Sequence, residues 1–366
     1  MRCTLIIHSL SSGGAERVLS RMANYWAEKG WEITLLNFTD ESETPFYHLD
    51  DRVNHRQLGI AEASANPMAG ILNNVTSVRG LRAAIIQSKP DAVISFMDRT
   101  NVIAILATRW LKIPILVSER NDPAMLSAGK MWELLRQWTY PFADRIVVQT
   151  ERAGSYFAKL QKLVFIMPNP VILPPTETTG SAPLLGANSL IAVGRLVSQK
   201  GFDLLLRALA QVKDRYPEWT LTILGEGELR PELEALRQEL GLEDRVHLPG
   251  RVKNPHEFLK QADIFIMSSR FEGFPNALCE AMVCGLPVIS TDCPNGPREI
   301  IRDGVDGILV PTQDVPALAA AMERLMSDYQ LRQSLAKAAP EVAERFSLDK
   351  VMLMWESLVK QVIAEK

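Results

Sequence analysis

The stretch FIMSSRFEGFPNALCEAMVCGLPVISTDCPNGP, Phe265 to Pro297, decides how this chain is read. An apolar, β-favouring run ending near Met267 gives way to a loop broken by Gly and Pro, Ser268 to Pro275. A helix-compatible run, Asn276 to Cys284, follows and stops at Gly285. The order strand, loop, helix, strand brings backbone N–H groups to a helix N-terminus, where unpaired amides and the helix dipole favour a phosphate. Glu272 lies in the loop and Glu280 just over one turn into the helix, with seven residues between them. Two carboxylates beside such a helix end would repel a phosphate, so they are expected to face sugar and ribose hydroxyls, which donate well to carboxylates. The stretch therefore suggests a sugar nucleotide.

Outward from it, the 366 residues exceed what one hydrophobic core usually organises, and two domains are expected. Hydrophobic content of 47% and charged content of 23% are those of a globular protein. Forty basic against forty-three acidic residues leave a formal charge of -3, so no global field points to nucleic acid. The four cysteines, Cys3, Cys279, Cys284 and Cys293, form no CxxC pair, which favours free thiols in a reducing cytosol over a disulfide framework or a zinc site. The opening run MRCTLIIHSL is too short in apolar residues for a signal peptide and reads as a buried first strand. The longest apolar tract, Asn101 to Val117, is broken by Arg109, Lys112 and Pro114, so no transmembrane helix is expected and any membrane contact is peripheral.

Apolar β-type runs recur at Thr4 to Ile7, Ile33 to Asn37, Ala92 to Phe96, Ile115 to Ser118, Ile146 to Gln149 and Val164 to Met167. Helical periods lie between most of them, as at Glu16 to Lys29 and Thr76 to Ser88, and this alternation predicts a parallel sheet covered on both faces. PNPVILPPTETTGSAPLLGANS, Pro168 to Ser189, marks a linker. A second series follows, with strands expected at Leu190 to Val193, Thr220 to Leu224, Arg245 to Leu248, Ile264 to Met267, Pro287 to Ser290 and Gly307 to Val310, and helices at Asp203 to Lys213 and Pro231 to Leu240. The α/β expectation is two doubly wound, Rossmann-like domains facing across a cleft: residues 1–170, a linker over 171–188, and residues 189–347, with a C-terminal helix over 348–366 packing back on the first.

Several loops after strands could carry chemistry. In GGAER, Gly13 and Gly14 open the first helix and permit close ligand approach, although a plain turn accounts for them equally well. Arg195 and Lys200, in GRLVSQKG, are either solvated surface charges or a planar fork and a compact charge that together can neutralise a diphosphate without a metal, and their place after a strand favours the second. No DxD triplet is present, so metal-independent binding is the simpler account. Gly225 and Gly227, and the LPGRV turn from Leu248 to Val252, suit either turns or backbone reading of a flat base. SERNDP, Ser118 to Pro123, holds Glu119, Arg120 and Asp122, which reach a sugar or acceptor or form a surface loop of mixed charge. His8, at the end of the first strand, reads as a structural histidine more than a base, and His48, His55, His247 and His256 show no metal-ligand spacing.

The motifs GGAER, GRLVSQKG, LGEGELR, EGFPNALCEAMVCGLPVIS and GPREIIRDGVDGILV together resemble glycosyltransferase family 4, retaining nucleotide-sugar enzymes of the GT-B fold. The resemblance runs through nearly the whole chain, is strongest from Val193 to Pro311, and is closest to bacterial members that extend polyprenyl-diphosphate-linked glycans for O-antigen, capsule or glycoprotein synthesis. It implies that Arg195 and Lys200 hold the donor diphosphate, Glu280 the ribose, and the Val252 backbone the uracil. Glu272 would contact the donor sugar, with Gly273, Phe274, Pro275, Asn276 and Ala277 lining the pocket and Gly14 approaching the diphosphate from the first domain. Many members have histidine where this chain has Arg120, so that residue's contact is a sugar or a phosphate. The reaction implied is transfer of a hexose or N-acetylhexosamine from a UDP-sugar to a glycan hydroxyl, giving an α-glycoside, with no cofactor and no metal. A nucleotide-sugar 2-epimerase and a silent nucleotide-sugar-binding subunit are the alternatives on the same fold.

A lipid-linked acceptor implies work at the cytoplasmic face of the inner membrane. Ile71 to Lys89, with Arg79, Arg82 and Lys89, and Lys130 to Tyr140, with Trp132, Trp138, Leu134, Leu135 and Arg136, are either helices packed on the sheet or faces resting on anionic lipid.

Overall fold

The computed structural model describes residues 1–40, 42–60, 67–125, 129–171 and 184–366, the side chains of 67–72 apart. Most of the expected linker, 172–183, lies outside the described residues. The chain divides into two compact units, one of Met1–Pro170 with Asp349–Lys366, the other of Val171–Leu348.

The first unit is built on β1 (Arg2–Ile7), β2 (Glu32–Asn37), β3 (Asn54–Gln57), β4 (Ala92–Phe96), β5 (Ile115–Ser118), β6 (Arg145–Val148) and β7 (Val164–Ile166). Its helices are α1 (Gly14–Glu28), α2 (Pro67–Ser88), α3 (Asp98–Thr108), α4 (Lys130–Thr139) and α5 (Glu151–Ser155). All seven strands are parallel, in the order β3-β2-β1-β4-β5-β6-β7. β1, β2, β4 and β5 are almost wholly buried, as unbroken apolar runs must be when helices cover both faces of a sheet. The edge strand β3, NHRQ, was invisible as an apolar run because it pairs on one side only and keeps no buried face. The tract Asn101 to Val117 resolves into the C-terminal part of α3, a turn, and β5.

The second unit carries β8 (Ser189–Val193), β9 (Thr220–Leu224), β10 (Val246–Gly250), β11 (Ile264–Met267), β12 (Val288–Thr291) and β13 (Ile308–Val310). Its helices are α6 (Phe202–Val212), α7 (Arg230–Glu239), α8 (Pro255–Leu259), α9 (Asn276–Val283), α10 (Pro297–Ile300), α11 (Val315–Ser327), α12 (Tyr329–Ala338) and α13 (Val342–Arg345). The sheet is again parallel, in the order β10-β9-β8-β11-β12-β13. Where the chain enters this unit, the Val171 N–H donates to the Phe346 carbonyl at 2.7 Å, so entry and exit run side by side.

The exit leads into α14 (Leu348–Ala364), which closes the first unit. Trp355 is fully buried with its ring 6.2 Å from that of Phe96. Around it, the Tyr25 hydroxyl donates to Asp349 at 2.9 Å, Lys29 meets Glu356 at 3.2 Å and Arg145 meets Glu365 at 2.7 Å.

Close backbone approach, more than turn type, accounts for two glycines of the second unit. A Cβ on Gly225 would stand 1.8 Å from the Gly194 carbonyl oxygen, and one on Gly201, at φ +61°, would stand 2.2 Å from that of Ser268. Both glycines let the loops after β8, β9 and β11 touch backbone to backbone. Gly201→Ala is therefore expected to destabilise the protein by about 2 kcal/mol or more, combining left-handed strain with a backbone collision, as chemical denaturation will measure.

Candidate functional site

In a sheet ordered 3-2-1-4, the chain turns one way from the first strand and the opposite way from the fourth, leaving a crevice beyond their carboxyl ends. In the second unit that switch point lies between β8 and β11, and the loops leaving those strands hold Arg195, Lys200 and Glu272. Lys200 ends the 3-10 turn Ser198–Lys200, and its stem lies over Gly194, where a Cβ would come within 3.1 Å of it. Its Nζ donates to Glu272 Oε1 at 2.7 Å. Glu272 is buried, and the Ser269 hydroxyl donates to the same oxygen at 2.6 Å.

Residues that sequence reasoning passed over lock the two loops together. Arg270 holds Asp203 through two bonds of 2.8 and 2.7 Å, while its own N–H donates to the Gln199 carbonyl at 2.8 Å. Burial would lift the Asp203 carboxyl, but the Arg270 guanidinium outweighs it and holds Asp203 below the usual carboxylate range. The Ser268 hydroxyl donates to the Lys200 carbonyl at 3.0 Å and the Gln199 amide to the Phe271 carbonyl at 3.1 Å. From the other side, Thr291 donates to the Ser269 carbonyl at 2.6 Å, and Gly296 lies so near Pro275 that a Cβ would come within 2.5 Å of its ring. The signal for Arg270 was its place inside the motif, two residues before Glu272; that for Asp203 was only a first-turn acid on α6.

Glu272 leads through half-buried Gly273 to Phe274, whose ring meets Phe346 edge-on at 5.4 Å. Pro275 occupies the N-cap position of α9 and no side chain caps the helix, so its positive end faces the loop through Asn276 and Ala277. Glu280 is buried one turn further along α9, and Val252 is half-buried in the loop after β10. Arg195 is exposed and its guanidinium pairs with no carboxylate among the described residues. Burial pushes the neighbouring Cys293 thiol up to about 12, which removes it as a nucleophile.

In the first unit Gly13 is the N-cap of α1 and Gly14 its first residue, at the end of the loop that leaves β1 at that sheet's own switch point. The Glu16 carboxylate folds back into the space a Cβ on Gly13 would need, and Ser11 donates to it at 3.4 Å. SERNDP is no surface loop: Glu119, Arg120 and Asp122 are all buried. Asp122 accepts the Ala124 N–H at 2.8 Å, and Glu119 accepts the Tyr140 hydroxyl with Arg136 3.6 Å away, so both serve the fold. Arg120 differs. Its guanidinium stacks 4.4 Å above the Phe96 ring and donates to Asn169 and Ser118, its Nε finds no partner, and no carboxylate pairs with it among the described residues.

Among the described residues, no group of three or more His, Cys, Asp or Glu side chains is arranged to hold a metal ion, and no helix is long and apolar enough to cross a membrane.

Two family signatures match, "Glycosyl transferase 4-like domain" over residues 13–173 and "Glycosyl transferases group 1" over residues 181–342. The chain is 31% identical over 364 residues, covering 99% of both chains, to a Campylobacter jejuni GalNAc-alpha-(1->4)-GalNAc-alpha-(1->3)-diNAcBac-PP-undecaprenol alpha-1,4-N-acetyl-D-galactosaminyltransferase. It is 29% identical, over 97% of both chains, to an N-acetylgalactosamine-N,N'-diacetylbacillosaminyl-diphospho-undecaprenol 4-alpha-N-acetylgalactosaminyltransferase of the same organism. Among solved structures, sucrose-phosphate synthase from Thermosynechococcus elongatus matches with a TM-score of 0.86 at 19% identity over 100% of both chains. Anabaena HepE in complex with UDP and glucose matches with a TM-score of 0.80 at 18% identity, over 99% of this chain and 100% of that one.

The buried cluster of the first unit has a pH signature. Burial pushes the Glu119 carboxyl from 4.5 up to about 7, against the lowering pull of Arg136 and Tyr140. Between those values the folded protein keeps a proton that the unfolded chain has released, so this group's contribution to stability is full below about pH 4.5 and is lost as pH rises through about 7. Glu119→Gln should therefore lose less stability than the wild type between pH 5 and pH 8 in urea denaturation.

Proposed function

Since the chain belongs to glycosyltransferase family 4, with the GT-B architecture, we propose that it transfers a hexose or N-acetylhexosamine from a UDP-sugar to a hydroxyl of a polyprenyl-diphosphate-linked glycan, with retention. The acceptor class is supported by the two Campylobacter relatives, both named for diphospho-undecaprenol-linked acceptors. The donor reading is carried by one observation, the Lys200 ammonium 2.7 Å from Glu272 at the switch point of the second sheet.

An ammonium has three donors. Lys200 can hold Glu272 with one and a phosphate oxygen with another, which cancels the repulsion a carboxylate would otherwise exert on a diphosphate. Glu272 is then free to orient a sugar hydroxyl with its second oxygen. As the bond between the anomeric carbon and the diphosphate oxygen breaks, negative charge gathers on the leaving group, and Arg195, Lys200 and the first-turn amides of α9 stabilise it. The acceptor hydroxyl bonds to the anomeric carbon on the same face, and its proton goes to the departing phosphate oxygen. Glu280 accepts from the ribose hydroxyls, the Val252 backbone reads the uracil, and Gly273 to Ala277 bound the sugar. Two cations, Lys200 and Arg195, supply the charge that a divalent metal supplies elsewhere, so the reaction runs without one. The protein meets its acceptor at the cytoplasmic surface of the inner membrane.

The test is incubation with a panel of UDP-sugars and a polyprenyl-diphosphate-linked glycan, with the anomeric coupling of the product read by NMR. An α-glycoside is expected, formed at the same rate with a chelator present; a new sugar nucleotide made from donor alone would instead identify an epimerase. Lys200→Ala should lower kcat/KM about 10²–10³-fold. Arg195→Ala should lower it while leaving thermal stability unchanged, because the Arg195 side chain is exposed and unpaired with any described carboxylate.

A further inference from the structure

α4 presents an outward face opposite to what a helix packed on a sheet needs. Met131, Leu134 and Trp138 follow one another at intervals of three and four residues, which puts them on one side of the helix, and all three are exposed, Trp138 to 72%. The inward side is supplied by Trp132, Leu135, Arg136 and Thr139, so the exposed apolar stripe is surplus to the core. The stripe continues past Trp138 to exposed Phe142, which stands against a second protrusion. There the Arg109 guanidinium lies 3.8 Å above the Phe142 ring and 5.5 Å from the Trp110 ring, and Trp110 is 83% exposed. The backbone at Trp110 and Lys112 is left-handed, with φ +65° and +54°, a conformation that bulky residues avoid and that here turns the indole into solvent.

Charge says what covers this face. Its exposed ionic residues are cations, Lys112 beside Trp110 and Lys130 at the start of α4, with the half-buried Arg109 guanidinium held against the Trp110 and Phe142 rings, and the outward side of α4 carries no carboxylate. Glu133, the acid on α4, is turned to Arg136 and Tyr156. Tryptophan beside lysine and arginine on an apolar surface fits the boundary between water and acyl chains, where the ring sits among headgroups and the cations meet lipid phosphates. The other candidate stretch, α2, is less suited, because Arg82 is spent on the carbonyls of Ala107 and Arg109.

We infer that the face formed by Trp110, Leu134, Trp138 and Phe142, rimmed by Arg109, Lys112 and Lys130, docks on an anionic lipid bilayer. This deepens the proposed function by naming the surface that reaches the membrane, and it rests on that reading only for its purpose.

The experiment is co-sedimentation of the full chain with phosphatidylglycerol-containing and with pure phosphatidylcholine vesicles, at low and high salt. The wild type should bind the anionic vesicles, weakly or not at all the neutral ones, and less as salt rises. Trp110→Ala with Trp138→Ala, and separately Lys112→Glu with Lys130→Glu, should each weaken binding about tenfold or more. All four positions are exposed, so thermal melting should be unchanged. Transfer to a short-chain, water-soluble acceptor should be retained while transfer to acceptor embedded in vesicles falls. No wild-type binding at low salt overturns the inference, as do tryptophan variants that bind like wild type, or a wild-type dimer that these variants convert to monomer without loss of vesicle binding. Vesicle binding without transfer to any acceptor would leave the docking face standing and remove the transferase reading instead.

Discussion

Parallel strands that reverse their order of addition at β8 and β11 impose the constraint on which the second unit depends. Each strand hands its chain to a helix on a different side of the sheet, and the two departing loops are left facing each other beyond the strand ends. Everything that qualifies those loops as a site follows from keeping them close. Gly201 removes the Cβ atom that would hold them apart, Arg270 and Asp203 tie them, and Lys200 reaches from one to the buried carboxylate of the other. Without the bracing, Lys200 would be one more surface lysine.

The two units manage buried charge differently. In the second, the buried Glu272 carboxylate has an ammonium and a hydroxyl to answer it, and a ligand would join an arrangement already near balance. In the first, Arg136 and Tyr140 face Glu119 but burial outweighs them and raises its carboxyl, while the adjacent Arg120 has only neutral oxygens and an aromatic face. Desolvating a cation without a counter-charge is costly, and at Arg120 the Phe96 ring face and the Ser118 and Asn169 oxygens are what offset that cost.

Much of the architecture was legible because buried parallel strands must be apolar runs and each covering helix must repeat with its own period; β1, β2, β4, β5 and β11 stood out for that reason. The family was legible too, from motifs whose glycines, prolines and glutamates keep fixed spacing, and the matching signatures span the same stretches. β3 was not, since a polar edge strand has no face to betray it. Nor was the Arg270 to Asp203 tie, which joins positions far apart in sequence and depends on strand order that no local pattern encodes. SERNDP misled because composition alone reads five polar or charged residues in a row as solvated, whereas the fold buries all three charged ones, Glu119 against Tyr140 and Arg120 against Asn169, both far off in sequence, and Asp122 against the nearby Ala124 N–H.

The return of α14 to the first unit bears on how the protein is made. Trp355 fills the space beside Phe96, yet it leaves the ribosome after the whole of the second unit has been synthesised. The usual order of vectorial folding, first domain first, is thereby inverted in its final step: the second unit can complete itself while the first still lacks a wall of its core. During that interval the nascent first unit exposes the apolar socket for Trp355.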